Sequence, residues 1–403
     1  MIPRIRQIQI QSYKSIERAV VDLEPFTVFV GPNGAGKSNF VDALVFVQEC
    51  LARSVEAAWG RHGGRSIPTR QRDDEPASLG FRLLLDLCEQ RTADYAFDIR
   101  VDGVGFAITH ERCVIQGGET GRTAFEVVEG HFTQPIPGIR PQLSPDRLAL
   151  FAASALEEFR PVYDFLTSIR FYSIAPPQLR QWQEVDSGEV LKPDGSNAAS
   201  VLNHLYQLSK QHEDEQERYR RICCLLARIV PGLLSVEPVT DGTGREVTLQ
   251  FLQKNGEDQS ETFSAKEMSD GTLRVLGLLL ALYQPRHPSV LLIEEPVADI
   301  HPAAAEIMTQ VLLDAAYDQQ VLVTTHSSDL LDFKELSSQQ IRVVSRDRGR
   351  TAIAPMDPAS RQAILERLYT PGELLRINEL DQDLDEADRA AERLDLFSVA
   401  PPS

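Results

Sequence analysis

An α/β fold with a mixed sheet, an antiparallel β region and a helical insert is predicted by three features of the sequence. A continuous apolar run, Phe26 to Val30, ends in the glycine-rich loop Gly31 to Ser38, reading GPNGAGKS, and that loop opens a helix. Far along the chain a second apolar run, Val290 to Ile293, ends in two carboxylates, Glu294 and Glu295. Between them lie short strand-like stretches separated by glycine turns, then a polar helical stretch.

Taken in order, Arg4 to Ile10 alternates, with Ile5, Ile8 and Ile10 marking a strand. Tyr13 to Ile16 reads as a turn, and Val20 to Leu23 continues as a strand. After the loop a helix is expected from Lys37 to Ala58, and Arg61 to Pro76 is a Gly-, Arg- and Pro-rich loop. Leu79–Leu87, Ala93–Val101, Ala107–Ile115 and Thr123–Val128 read as strands, with turns at Gly103 and Gly117-Gly118. The Pro-rich stretch Gln134 to Pro145 marks a boundary, so one lobe is expected over 1–135. A helical and β insert is expected over 136–264. It holds a helix at Arg147–Ser168, a strand at Arg170–Ile174, a polar helical stretch at Asn197–Arg228 broken near Gln211 to Gln216, and strands at Val236–Val239 and Glu246–Gln253. The α/β pattern returns over 265–378, with helices at Thr272–Tyr283, Ala303–Asp314 and Ser327–Phe333 and strands at Val321–Thr324, Ile341–Ser345 and Thr351–Ala354. Residues 379–403 read as an acidic, solvated tail; its Asp381, Asp383 and Asp385 lack the glycine and terminal Glu of an EF-hand.

Bulk properties narrow the function. A length of 403 residues fits two or three lobes at about 150 residues per domain. No apolar run approaches the ~18 residues of a membrane helix; the longest, Val275 to Tyr283, reads as a buried helix. The N-terminus shows no secretory leader, which makes the cytoplasm the expected compartment. The five cysteines show no metal-binding spacing and read as reduced core thiols. A net charge of −18 argues against a general nucleic-acid coat, since phosphate contacts need clustered Lys and Arg.

The pattern GxxxxGK[ST] wraps backbone N–H groups around a phosphate chain, and Gly31, Gly34 and Gly36 permit the close approach and positive φ it needs. Asn33, Gly34, Gly36, Lys37, Ser38 and Asn39 are the predicted ATP contacts; Lys37 reaches the β- and γ-phosphates, and Ser38 holds Mg²⁺. The helix that follows turns its positive end toward the same phosphates. Glu294 is positioned for the Mg²⁺ water shell, and Glu295 for polarising the attacking water. His326 follows the next buried strand, where it is either a γ-phosphate ligand or a structural residue. Ser269, in Met268 to Thr272, is either an ordinary N-cap or part of a second anion site.

In this order the segments resemble the ABC-type ATPase heads of the SMC, RecF and OLD-like families: phosphate loop, insert, Ser-Asp-Gly-Thr at Ser269–Thr272, Glu294-Glu295, Asp-Ile-His-Pro at Asp299–Pro302, and His326. The motif match covers roughly residues 1 to 50 and 265 to 335. The resemblance implies that Tyr13, Lys14 and Ser15 lie near adenine and ribose, and that Ser269, Asp270 and Gly271 close over the γ-phosphate of a partner copy. It further implies that Asp299 to Pro302 communicates across the dimer, that His326 is a switch, and that Gln178, or alternatively Gln48, senses the metal. Arg61 and Arg65 are alternatives for a phosphate- or DNA-responsive arginine. Three departures stand out: MSDGT replaces the transporter LSGGQ, Glu-Glu replaces Asp-Glu, and no long coiled-coil arms are present. The stretch from Ser327 to Ser403 is shorter than the Toprim nuclease that OLD proteins often carry.

The resulting expectation is an ATP-hydrolysing homodimeric switch, with two nucleotides sandwiched between copies. It would control an effector in trans, a nuclease or toxin in anti-phage defence. The alternatives are a RecF-like DNA-repair or DNA-sensing ATPase that touches nucleic acid itself or through a partner, and the nucleotide-binding subunit of a membrane transporter.

Overall fold

The computed structural model describes residues 2–67, 77–101, 105–118, 121–136, 142–255, 259–347 and 349–398. β1 (Arg4–Tyr13) turns back into β2 (Ile16–Asp22), and β3 (Phe26–Val30) enters the glycine loop. Helices α1 (Lys37–Ala52) and α2 (Val55–His62) follow, then a meander of β4 (Ala77–Asp86), β5 (Thr92–Val101), β6 (Phe106–Gln116), β7 (Arg122–Val128) and β8 (His131–Gln134). Next come α3 (Ala149–Ala153), α4 (Arg160–Thr167), β9 (Arg170–Tyr172), α5 (Pro176–Leu179), β10 (Gln183–Glu184), and the helix pair α6 (Ala198–Ser209) and α7 (Glu213–Ile229). β11 (Leu233–Thr240), β12 (Glu246–Lys254) and β13 (Ser260–Ser264) precede α8 (Asp270–Tyr283), β14 (Val290–Glu294), α9 (Pro302–Ala315) and β15 (Gln320–Thr325). The chain closes with α10 (Ser328–Leu331), β16 (Ile341–Asp347), β17 (Arg350–Ala354), α11 (Pro358–Leu365), α12 (Pro371–Arg376) and α13 (Leu384–Glu392).

The central sheet has the order β17-β16-β3-β15-β14-β9, parallel except for the last hairpin, β16-β17. This order decides where the chemistry sits. β15 lies between β3 and β14, so the strand ends carrying the glycine loop, His326 and the glutamates stand side by side at about 4.8 Å spacing. All three strands are buried along almost their whole length, as parallel strands covered on both faces must be. Phe26, Val28 and Val30 point into one core with α8 and α9, whereas Phe29 points into the other with α1.

The second core is roofed by the seven-stranded antiparallel sheet β2-β1-β4-β5-β6-β7-β8. Gln320, fully buried at the start of β15, clips this sheet to the central one: its amide accepts from Ile5 N and donates to Ile5 O, both at 2.9 Å. Glu111 of β6 is a comparable tie. Its carboxylate is buried and accepts from Leu150 N at 2.8 Å, Tyr95 Oη at 3.0 Å and the amide of Ala149, holding the start of α3. Glu111→Ala leaves these donors without partners at about 1–3 kcal/mol each. A loss of roughly 3 kcal/mol in unfolding free energy is expected in urea titrations, after allowance for the carboxylate desolvation that disappears with the side chain.

Several expectations need correction. The helix expected over Lys37–Ala58 breaks at Arg53, and Ser54 caps α2 by accepting from Ala57 N at 3.1 Å. The Arg147–Ser168 helix is two helices. β9, assigned to the 136–264 insert, is the edge strand of the central sheet. The acidic tail is not merely solvated: α13 packs on β2 and β17, and residues 394–398 cross the outer face of the antiparallel sheet. Arg18 donates to Leu394 O and Arg82 to Asp395 O, each at 2.8 Å, and Arg112 donates to Ser398 O at 3.0 Å. Gly80 makes room for this strap, since a Cβ there would lie 2.2 Å from Leu396 Cδ1. Cys88 and Cys224 are exposed, unlike the other three cysteines. The Gly103 turn, and parts of the Arg61–Pro76 and Gln134–Pro145 segments, lie outside the described residues. No helix among the described residues is long and apolar enough to cross a membrane.

Candidate active site

Glycine chemistry shapes the loop. Gly34 (φ 77°) and Gly36 (φ 113°) adopt left-handed backbone that other residues reach only with strain. Gly31 is required by proximity instead, because a Cβ would meet Val344 O at 1.9 Å. Lys37 is buried and donates to Gly31 O at 2.6 Å and Pro32 O at 3.2 Å, so its ammonium lies folded against the loop it would share with phosphate oxygens. Burial lowers the Lys37 pKa, opposed by the nearby charges of Glu295 and Glu294.

A cavity of about 280 Å³ opens at this loop, lined by Asn33, Gly34, Gly36, Lys37, Ser38, Asn39, Glu294, Glu295 and His326. Ser38 Oγ donates to Glu294 Oε1 at 2.8 Å. That bond sets a hydroxyl and a carboxylate side by side at the loop, both hard oxygen donors of the kind a magnesium ion or its water shell would take. Glu295 has φ 47°, a left-handed conformation that costs a non-glycine residue about 1–3 kcal/mol. Its carboxylate accepts from Thr325 Oγ1 at 3.1 Å and His326 N at 3.3 Å, and His326 Nδ1 lies 2.7 Å from Oε1. The arrangement provides backbone N–H groups and an ammonium for a phosphate chain, oxygen ligands for a cation, and a carboxylate–imidazole pair at the far wall.

Known proteins point the same way. Residues 149–332 match a family described as "AAA domain, putative AbiEii toxin, Type IV TA system", and residues 4–64 match one described as an AAA ATPase domain. Over 382 residues the chain is 22% identical to the Old nuclease of Escherichia phage P2, an alignment covering 87% of this chain and 61% of that protein. Over 44 residues the chain is 46% identical to the chromosome partition protein Smc of Methanocaldococcus jannaschii, covering 11% of this chain and 4% of that one. The chain therefore spans 61% or less of these relatives. Among solved structures, an Smc head bound to the C-winged helix domain of ScpA superposes with a TM-score of 0.54 at 14% identity, covering 89% of this chain and 99% of that one. The Smc head of Pyrococcus furiosus with an extended coiled coil gives 0.52 at 15% identity, over 91% and 100%. The chain shares the fold of Smc head domains and resembles AAA ATPase domains over its two matched segments.

Not every predicted residue of the head reaches the cavity. Ser269, Gly271, Lys14, Ser15 and Gln178 do not line it. Ser269 caps α8, accepting from Thr272 N at 3.2 Å, and it is exposed together with Asp270. Gly271 has a reason within its own chain: a Cβ would lie 2.7 Å from Asp299 O. That contact joins the Ser269–Thr272 turn to the Asp299–Pro302 loop, and Arg274 reinforces it with Asp299 at 3.3 Å. Gln178 is exposed on α5; two residues on, Arg180 pairs with Asp270 at 2.5 Å. Gln48 donates to Thr167 O at 3.1 Å, fastening α1 to the end of α4. Lys14 pairs with Asp42, whose carboxylate also lies 2.8 Å from His62 Nδ1 and accepts from Tyr13 Oη at 2.6 Å. Burial works to raise the Asp42 pKa, but hydrogen bonds from His62, Lys14 and Tyr13 outweigh it and hold it at about 2. Arg61 pairs with Glu49, and the side chain of Arg65 lies outside what is described. Thr351, expected only as the start of a strand, donates from its Oγ1 to Ala35 O of the loop at 2.9 Å. It belongs to no motif string, and nothing local could have singled it out.

Proposed function

We propose that the head is an ATP-gated homodimeric switch controlling an effector protein. The observation that carries this reading is the separation of the two anion-binding turns. The cavity is built from the glycine loop, the glutamates and His326, whereas the exposed Ser269–Asp270 turn stands outside it, joined to the equally exposed Asp299. A second copy supplies Ser269 to Gly271 to each nucleotide, and the symmetry of such a dimer buries two nucleotides. Lys37 binds the β- and γ-phosphates, and Ser38 with the shell of Glu294 holds Mg²⁺, which neutralises charge on the phosphates. Glu295 takes the proton of the attacking water, oriented by Thr325 and by the imidazole of His326.

The likeness to the Old nuclease, and the toxin–antitoxin description of the matching family, support a nuclease or toxin in trans and a place in anti-phage defence within the cytoplasm. The test is a pull-down of the tagged chain, expressed with its neighbouring genes, in Mg²⁺-ATP and in Mg²⁺-ADP. One stoichiometric partner held in one nucleotide state and released in the other is expected. A chain recovered alone in both states, or a partner indifferent to nucleotide, sinks the switch.

A further inference from the structure

The turn between β1 and β2, the first turn of α1 and the C-terminal hairpin β16-β17 are remote in sequence and meet at the glycine loop. Asn39 Nδ2 donates to Ser15 Oγ at 2.6 Å. Ser15 Oγ lies 2.6 Å from Thr351 Oγ1, and Thr351 Oγ1 donates to Ala35 O at 2.9 Å. Thr351 spends its single hydroxyl proton on Ala35, so the proton between the two hydroxyls belongs to Ser15. The directions then agree along the whole relay: amide to Ser15, Ser15 to Thr351, Thr351 to the loop carbonyl. A relay with one sense strengthens each of its members. The main chain adds a parallel bond, Thr351 N to Ser15 O at 2.8 Å.

We propose that Thr351 is a positioning residue for the nucleotide loop, acting with Ser15 and Asn39 as a staple across its bend. The staple grips the loop on both sides of Gly36, through the Ala35 carbonyl before it and the Asn39 side chain after it. Gly36 itself records the closeness of the fit. A Cβ there would lie 1.9 Å from Thr351 Oγ1, so the glycine serves the staple as well as its own φ of 113°. Thr351 is 4% exposed, and its bond to the Ala35 carbonyl is buried. Holding the Ala35 carbonyl outward keeps the neighbouring N–H groups turned toward the cavity, where a phosphate chain needs them. Ser15 thereby acts on the nucleotide through the loop, a different role from direct contact with ribose. Neither residue touches Glu295 or His326, so the staple sets binding and leaves the chemical step alone.

The inference rests on the loop being the nucleotide site, and Lys37→Ala separates the two ideas. ATP affinity and turnover at saturating ATP are measured for Thr351→Val, which keeps the shape and removes the donor, and for Thr351→Ser, which keeps the donor. Thr351→Val is expected to bind ATP about tenfold more weakly, with turnover within about threefold of the parent. Thr351→Ser is expected within about twofold on both measures. Lys37→Ala is expected to lose ATP binding. Thr351→Val with parental affinity beside a non-binding Lys37→Ala overturns the staple, and so does a Thr351→Ser that falls as far as the valine. Parental affinity in Lys37→Ala overturns the site itself and the staple with it. If Thr351→Val does not fold, Ser15→Ala cuts the same relay at its other member, and unchanged ATP affinity there overturns the proposal.

Discussion

Glu295→Gln is expected to lower ATP turnover by about 10²–10⁴-fold, the usual worth of a general base, while ATP affinity stays within about threefold of the parent. The geometry favours a clean substitution. Glutamine keeps an oxygen to accept from Thr325 Oγ1 and His326 N, and its amide can donate to His326 Nδ1 in the neutral tautomer. The left-handed backbone at this position is unchanged by an isosteric side chain. What disappears is the proton acceptor. Because binding survives while hydrolysis stops, ATP should hold the variant as a dimer that persists through size exclusion. Phosphate release and light scattering on one sample read both effects. Parental turnover moves the base elsewhere, and a monomer with ATP bound removes the dimer from the cycle.

The parts of the head legible in the sequence were those written as contiguous strings on regular elements. GPNGAGKS announces its strand, its loop and its helix together, because each glycine answers a backbone requirement within the string. Glu294, Glu295 and His326 come together at one cavity for a related reason: an apolar strand ends where a parallel sheet presents its ligands, and two such ends become neighbours once β15 lies between β3 and β14. The illegible parts depend on pairs far apart in the chain. Thr351 is an ordinary strand residue until Ser15 and Ala35 arrive beside it. The tail looked solvated because its charge faces outward, and only the fold shows Leu394 and Leu396 buried against the sheet. The break at Arg53 was missed since Ser54 is a modest signal inside a strong apolar period, although it is a normal N-cap. Lys14, expected as a nucleotide contact, pairs with Asp42 on α1, an attraction between single charges that no local pattern encodes.

The strongest effect that separates a shared site from a private one is a rescue. Lys37→Ala removes the ammonium from a protomer's own loop, and Ser269→Arg fills the exposed turn that a partner's nucleotide would meet. Each variant alone is expected to be inactive. The second should remain folded, because Ser269 is exposed and its loss as a cap costs only about 1 kcal/mol. In a mixed dimer the defects fall on the same site: the loop of the Lys37→Ala copy faces the turn of the Ser269→Arg copy. The opposite site then joins an intact loop to an intact turn. With equal amounts and free exchange, half of the dimers are mixed and each has one sound site of two, so roughly a quarter of parental turnover should return. A private site has no such recourse, since every copy carries a lesion in its own machinery or in a surface irrelevant to it. If Ser269→Arg alone hydrolyses ATP normally, the turn is only a helix cap; if the mixture stays silent while each variant still dimerises, both defects lie within one protomer's site.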